Sequence, residues 1–281
     1  MKKILIPTDF TSVAHNSANY GLDFAKQVNA QKVILFNAFQ SPVNVSPDPM
    51  VPSIESFDFD ALKKASLESL QIFKQNLVSQ NPGKSEVEVL SECCTLTTDI
   101  DTIAKENEID LIIMGITGKG SVSEIFVGSN TIQVSRHTAT PVLIVPPQSA
   151  YKPIKQILWV SDYKDVESST PKEEISAILE ATGATLVILH VDEEYKDLEE
   201  DIYAAEKAAI ANMFGKFNLE FFTAHNSDFL EAVSEFATIK QVDLVVVVPK
   251  VHFFPEKVFH QSYSKSLAFH TDLPLLMIKQ K

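Results

Sequence analysis

The sequence predicts an α/β protein built from two successive copies of one unit, each a parallel sheet packed between helices. Three observations carry this. Short apolar runs alternate with segments of helical period through residues 3–145. Residues 111–146, LIIMGITGKGSVSEIFVGSNTIQVSRHTATPVLIVP, read as strand, glycine-rich loop, helix and strand, the order that sets small-ligand sites at the carboxyl ends of parallel strands. The pattern then restarts: KQILWVS followed by Asp162 repeats KKILIPT followed by Asp9, and the closing runs HTATPVLIV from His137 and HTDLPLLMI from His270 match.

In chain order, residues 3–7 form an all-apolar strand ending at Thr8 and Asp9. Ser12 is placed to cap the next helix, whose Ala14, Ala18, Leu22 and Ala25 share one face. A second strand lies within residues 31–39. Residues 40–58, with four prolines, are expected as a long loop that covers a site or merely fills space. Residues 61–77 read as a helix with Leu62, Leu67, Leu70 and Phe73 on its apolar stripe. Residues 85–91 alternate and suit a strand near an edge; residues 99–107 form a helix, 110–114 the strand into the glycine loop, and 141–145 the closing strand. Residues 146–153, PPQSAYKP, are a linker that divides the chain into units 1–148 and 153–281. Beyond it, strands are expected at 155–161, 184–191, 217–223, 242–248 and 273–278, with helices at 197–214 and 229–239. Thr170, Pro171 and Glu173 are placed as cap, first helical residue and capping-box partner of a further helix.

Composition narrows the function. The 281 residues suit two domains, and 45% hydrophobic with 22% charged residues suits a packed globular chain. A net charge of −13 disfavours nucleic acid as a partner. No apolar run reaches the length of a membrane span and MKKILIPTDF lacks a signal-peptide core, so a cytoplasmic location is expected. The adjacent Cys93 and Cys94 point to opposite faces of a strand and suit a reducing compartment. Four of eight glycines, Gly115, Gly118, Gly120 and Gly128, sit in the one loop, where backbone freedom serves tight turns or close approach to a ligand. Asp9 reads either as a ligand contact or as a turn residue, and His15 as a packing or surface residue. His137 and His270 recur at matching positions, which suits a structural role before the last strand.

These residues resemble the universal stress protein family of the UspA type, in tandem two-domain form. The family signature is glycine, two residues, glycine, nine residues, glycine, then serine or threonine and often asparagine. Here it stands as Gly115, Gly118, Gly128, Ser129 and Asn130. The opening ILIPTD and the ending HTATPVLIVP are also similar to the family. The resemblance implies an adenine nucleotide alpha-hydrolase-like (Rossmann-like) fold with a five-stranded parallel sheet in each unit and ATP, with Mg²⁺ as its companion, at the carboxyl ends of the strands. It places Pro7, Thr8 and Asp9 at the nucleoside, the backbone of Ala38 at adenine, and Met114, Gly115 and Gly118 around ribose and phosphates. Valine is commoner than alanine at the position of Ala38. Lys119, Gly128, Ser129 and Asn130 fall along the phosphate chain. A helix starting near Ser129 would offer free N–H groups and its dipole to a polyphosphate, while Lys119 either neutralises phosphate charge or stays solvated. The implied role is a nucleotide-responsive stress or regulatory protein. No catalytic base stands out beside the phosphate loop, which leaves slow ATP hydrolysis and a nucleotide-independent scaffold as alternatives. The two units are expected to pair through residues 142–144 and 275–277, with room for a homodimer.

The second copy departs from the signature. Counting back from His270 places Val248, Val251 and Gln261 at the positions of Gly115, Gly118 and Gly128, with Ser262 retained and Tyr263 for Asn130. Asp162 survives, followed by the longer, acidic YKDVESST. Aromatic bulk at residues 252–254 would fill the degenerate cleft. His252, Glu256, His260 and His270 form no compact metal-ligand pattern. One competent site, in the first unit, is expected.

Overall fold

The computed structural model describes residues 1–40, 59–116, 129–147, 149–192, 203–249 and 273–280. The first half contains β1 (Lys3–Pro7), α1 (Ser12–Gln27), β2 (Lys32–Phe39), α2 (Phe59–Gln80), β3 (Glu86–Cys93), α3 (Leu96–Glu106), β4 (Leu111–Gly115), α4 (Ser129–His137) and β5 (Val142–Val145). The second contains β6 (Gln156–Val160), α5 (Val166–Ser169), α6 (Lys172–Thr182), β7 (Thr185–Asp192), α7 (Ala204–Phe214), β8 (Leu219–His225), α8 (Phe229–Ile239), β9 (Leu244–Val247) and β10 (Leu275–Met277). The proline-rich residues 41–58, the start of the helix expected from residue 197, and the stretch that holds Val251 to His270 lie outside the described residues.

The strands form one sheet in the order β3-β2-β1-β4-β5-β10-β9-β6-β7-β8. Each half is parallel throughout, and its order reverses direction beside its first strand. The halves meet where β5 and β10 run antiparallel, with Leu275 opposite Ile144, Leu276 opposite Leu143 and Met277 opposite Val142. The two five-stranded sets are thus continuous.

Burial on both faces explains the unbroken apolar runs. Ile4 and Ile6 belong to the core layer that also holds residues of α1, α2, α6 and α7, whereas Leu5 belongs to the layer on the other face, with residues of α3, α4 and α8. All three are fully buried, each contributing roughly 1.5–3 kcal/mol of apolar transfer energy. β3, at one edge of the sheet, alternates because one face is packed and the other open there: Val87 and Val89 pack against the core, while Glu86 and Glu88 meet Lys32 of β2 at 3.7 and 2.6 Å.

Local signals account for most boundaries, with three corrections. Thr11 rather than Ser12 caps α1, accepting from the Ala14 N–H at 3.3 Å. The cap of α6 is Pro171, without a side-chain hydrogen bond, so the Thr170–Glu173 capping box does not form. The stretch before it folds into the extra turn α5. On α2 the buried positions are Ser66, Leu70, Phe73 and Leu77; Leu62 and Leu67 are only half-buried, since the stripe is rotated toward β2 and β3.

The duplication reaches backbone detail, in places where the residues differ and in places where they are kept. Phe10 and Tyr163 are both left-handed (φ 64° and 51°), as are Glu108 and Gln241 (φ 52° and 53°). Asp110 accepts from the N–H groups of Lys2 and Lys3, and Asp243 accepts likewise from Lys155 and Gln156 at 2.8 and 3.0 Å. The linker lies against α1: Asn16 Nδ2 donates to the carbonyls of Pro146 and Ser149, and Gln27 exchanges two bonds with the backbone of Ile154.

Candidate functional site

Parallel α/β sheets open a crevice where strand order reverses, here between β1 and β4. The chemistry of Pro7 widens it. Peptide groups point alternately to the two neighbouring strands; the Thr8 N–H bonds the Phe36 carbonyl of β2 at 2.8 Å, so position 7 faces β4. Proline has no N–H to give there. The β1–β4 ladder stops at Leu5–Ile112, whereas β1–β2 runs on to Pro7–Phe36. Beyond that point lies a cleft of about 740 Å³. In the second half Val160 holds the position of Pro7, and the β6–β9 ladder runs one pair further, to Trp159–Val246.

The cleft gathers Pro7, Thr8, Asp9, Ala38, Met114, Gly115 and Asn130 from the residues singled out in the sequence. Gly118, Lys119 and Gly128 lie outside the described residues, and of Ser129 only the backbone, at the start of α4, is described. Asp9 is exposed, and its Oδ1 accepts from the Thr11 N–H at 3.0 Å and the Thr11 hydroxyl at 2.6 Å. This carboxylate therefore builds the turn into α1 while it lines the cleft. The Thr8 hydroxyl accepts from the N–H of Phe10 at 3.0 Å, which supports the left-handed conformation there.

Gly115 serves packing. A β-carbon there would stand 2.6 Å from Val13 Cγ1 and 2.9 Å from the Val13 carbonyl, so only glycine lets the first turn of α1 sit against the end of β4. The Gly115 carbonyl accepts from the buried Thr131 hydroxyl at 2.7 Å, tying the start of α4 to the same point. The far end of α4 is held by Asp101 of α3, which accepts from the Ala139 N–H at 2.9 Å and the Thr138 hydroxyl at 3.2 Å. Lys105 and these donors hold the Asp101 carboxyl below its ordinary range. His137 Nδ1–H donates to the Gln133 carbonyl at 2.8 Å, the structural role expected of it. His15 accepts from Asn19 and packs edge-on against Phe73.

Sequence reading missed two walls. Asn37, on β2, lines the cleft and donates through Nδ2 to the Thr8 carbonyl at 2.8 Å. The β3–α3 connection and the first turn of α3 add Cys94, Thr95, Leu96 and Thr97. A lining position leaves no periodic mark, although the run of polar residues just after the strand ends was a usable signal. Both cysteines are free thiols, Cys93 exposed and Cys94 half-buried. Burial, with Asp99 and Glu92 nearby, pushes the Cys94 thiol up to about 11. Asp9 is the one charged side chain among the described lining residues. The first turns of α1, α3 and α4 all border the cleft, so its field favours an anion chiefly through helix N-termini.

The corresponding region of the second half is built differently. Tyr163 N–H bonds the Ser161 hydroxyl and Lys164 N–H bonds Asp162, as at Phe10 and Thr11. However, α6 starts ten residues after Asp162, against three for α1 after Asp9. The short helix α5 begins at Val166, which takes the place of Val13, and Val248 stands at the position of Gly115 and packs against the core.

A crevice at a strand-order switch, bordered by helix N-termini, is how Rossmann-like α/β proteins take small anionic ligands, and this chain has the Rossmann-like α/β fold. Its lineage is narrower: the sequence model of the Universal stress protein family matches residues 1–146. The chain belongs to the universal stress protein family. Universal stress protein MJ0531 of Methanocaldococcus jannaschii is 30% identical over 146 residues, which cover 51% of this chain and 81% of the relative. A universal stress protein structure from Archaeoglobus fulgidus matches 99% of this chain and 98% of its own, at TM-score 0.71 and 16% identity. A putative universal stress protein from Pseudomonas aeruginosa matches 100% and 94%, at TM-score 0.57 and 13% identity. The two structural likenesses concern fold alone, and they extend it over both halves. No described helix is long and apolar enough to cross a membrane.

Proposed function

We propose that this chain is a cytoplasmic, nucleotide-responsive stress protein that binds one ATP in the cleft of its first half. The observation that supports it is the convergence at one crevice of the end of β1, Ala38, Gly115 and the anchored start of α4. The nucleoside lies against the Thr8–Asp9 turn and the backbone of Ala38, and the phosphates run toward α4 and the loop with Gly118, Lys119, Gly128 and Ser129. Free N–H groups at the start of α4 suit phosphate oxygens. The described lining brings no basic side chain, so Mg²⁺ carried on the phosphates with its own waters fits the site without a carboxylate cage. The second half, reading as unit 153–281, serves as a structural and regulatory partner through the β5–β10 contact.

Calorimetry of the whole chain with ATP and Mg²⁺ is expected to give one site per chain, and two sites or none would sink the reading. Cys94 supplies a local check. Bound ATP should slow its alkylation at least about tenfold while the exposed Cys93 reacts unchanged. Phosphate release followed in the same samples separates binding from slow hydrolysis.

A further inference from the structure

The Thr8 carbonyl, at the lip of the crevice, is held by a chain of hydrogen bonds that starts two elements away. Asn37 Nδ2 donates to it at 2.8 Å. Asn37 Oδ1 accepts from the Ser66 hydroxyl of α2 at 2.8 Å, and Ser66 Oγ lies 2.6 Å from Ser91 Oγ of β3. Both hydroxyls are buried, Ser66 at 8% exposure and Ser91 at 3%. Proton accounting sets the direction. A carbonyl only accepts, so the amide nitrogen of Asn37 faces Thr8 and its oxygen faces Ser66. Ser66 spends its single proton on Asn37 and must accept from Ser91. The relay therefore runs Ser91 to Ser66 to Asn37 to Thr8, across β3, α2, β2 and the end of β1.

Thr8 needs this support on the side that meets ligand. Its N–H continues the pairing with β2, and beyond it Phe10 is left-handed and Asp9 closes the turn. The second half holds the equivalent carbonyl by other chemistry. His190 occupies the place of Asn37 and its Nδ1–H donates to the Ser161 carbonyl at 3.1 Å. Among the described residues no hydroxyl relay stands behind it; the ring stacks on Tyr163 and contacts Tyr203, with centroids 5.2 and 4.6 Å away. The donor to this carbonyl is thus kept in both copies while everything behind it changes.

We propose that Asn37, oriented by Ser66 and Ser91, is the positioning residue of the cleft: it sets the Thr8–Asp9 turn at the height where the ligand meets it. This rests on the nucleotide reading above for the ligand and on geometry alone for the turn. Four variants of the full chain test it: Asn37→Ala, Asn37→Leu, Ser66→Ala and Asn37→His, the last copying the second half. Two readouts are taken on each, ATP affinity by calorimetry and hydrogen exchange of the segment that spans residues 8–14. Asn37→Ala and Asn37→Leu should bind ATP about tenfold or more weaker, and Ser66→Ala several-fold weaker, with exchange raised in the turn and little changed in β4 and β5. Asn37→His should restore both toward wild type, because it returns a donor to the Thr8 carbonyl.

Wild-type affinity and exchange in Asn37→Ala, or a rise in exchange spread evenly over the sheet, would overturn the positioning role. So would failure of Asn37→His to recover either readout in a folded protein. Where Asn37→Ala does not fold, Ser66→Ala and Asn37→His carry the decision. A wild-type chain that binds no ATP, yet shows the localised exchange in Asn37→Ala and its reversal in Asn37→His, would overturn the nucleotide reading and support the positioning of the turn.

Discussion

Pro7 is the residue whose chemistry most directly shapes the crevice, because it removes a donor where β1 would otherwise bond β4. Replacing it with valine, as at Val160, supplies that N–H. The ladder should extend by a pair, the crevice should narrow, and ATP binding should weaken about tenfold without loss of folding. Calorimetry beside a thermal melt reads both, and undiminished affinity would remove proline from the account. Gly115 gives a contrasting case. The spacing of the glycines marks it as a ligand residue, whereas its contact with Val13 makes it a packing residue first. Gly115→Ala is expected to cost about 1–3 kcal/mol in chemical denaturation, through overpacking against a backbone carbonyl that cannot move aside. Val13→Ala should recover only part of that, since the carbonyl stays in place.

At the scale of elements, α4 is the helix on which the proposed phosphate contacts depend, and it is fixed at both ends. Thr131→Ala removes the bond to the Gly115 carbonyl and should cost about 1 kcal/mol of stability while it weakens ATP binding. At the other end, Asp101 makes stability depend on pH. Its folded pKa lies below the ordinary carboxylate value, so its contribution is complete above about pH 5 and is lost as pH falls through the folded value. Asp101→Asn should therefore be less stable than wild type by about 1 kcal/mol at pH 7, with the gap closing as pH falls through the lowered folded value; Lys105 is well exposed, so its pairing is screened by solvent. A gap that does not change with pH would show that the carboxylate charge is not what holds α4. Element types and most boundaries were legible in the sequence because a strand buried on both faces and a helix buried on one leave different periods. The turn α5 was not. Thr170, Pro171 and Glu173 place the start of α6 to within one residue, yet Thr170 ends α5, which packs against α7, and the capping box is not made. Tertiary contact there outweighed a cap worth about 1 kcal/mol.

At the scale of the molecule, the sheet passes unbroken from one half to the other, and Asn16 and Gln27 fasten the linker to α1. Cutting the chain at residue 148 would uncover β5, an apolar edge strand of sequence VLIV. An isolated first unit should therefore self-associate through that edge, and sedimentation should report a dimer or larger species; a stable monomer would mean that β10 is not needed to cover it. ATP binding by that dimer, one per unit, would locate the competent site within residues 1–148.

The amino-acid sequence by itself determined the α/β class, the duplication and the family, because repeats, burial periods and the spacing of glycines are written along one dimension. The family resemblance then singled out seven of the nineteen described lining residues of the cleft, Asp9, Ala38, Met114 and Asn130 among them. Only the tertiary structure decided that Gly115 makes room for Val13 and that a relay from Ser91 through Ser66 to Asn37 ends on the Thr8 carbonyl. Ser66 lies 29 residues from Asn37 and 25 from Ser91. Serine in a helix or strand carries no local signal of its partner. Hydrogen bonds between elements are set by which faces the folded sheet brings within 3 Å of each other, and that distance exists only once the core has packed.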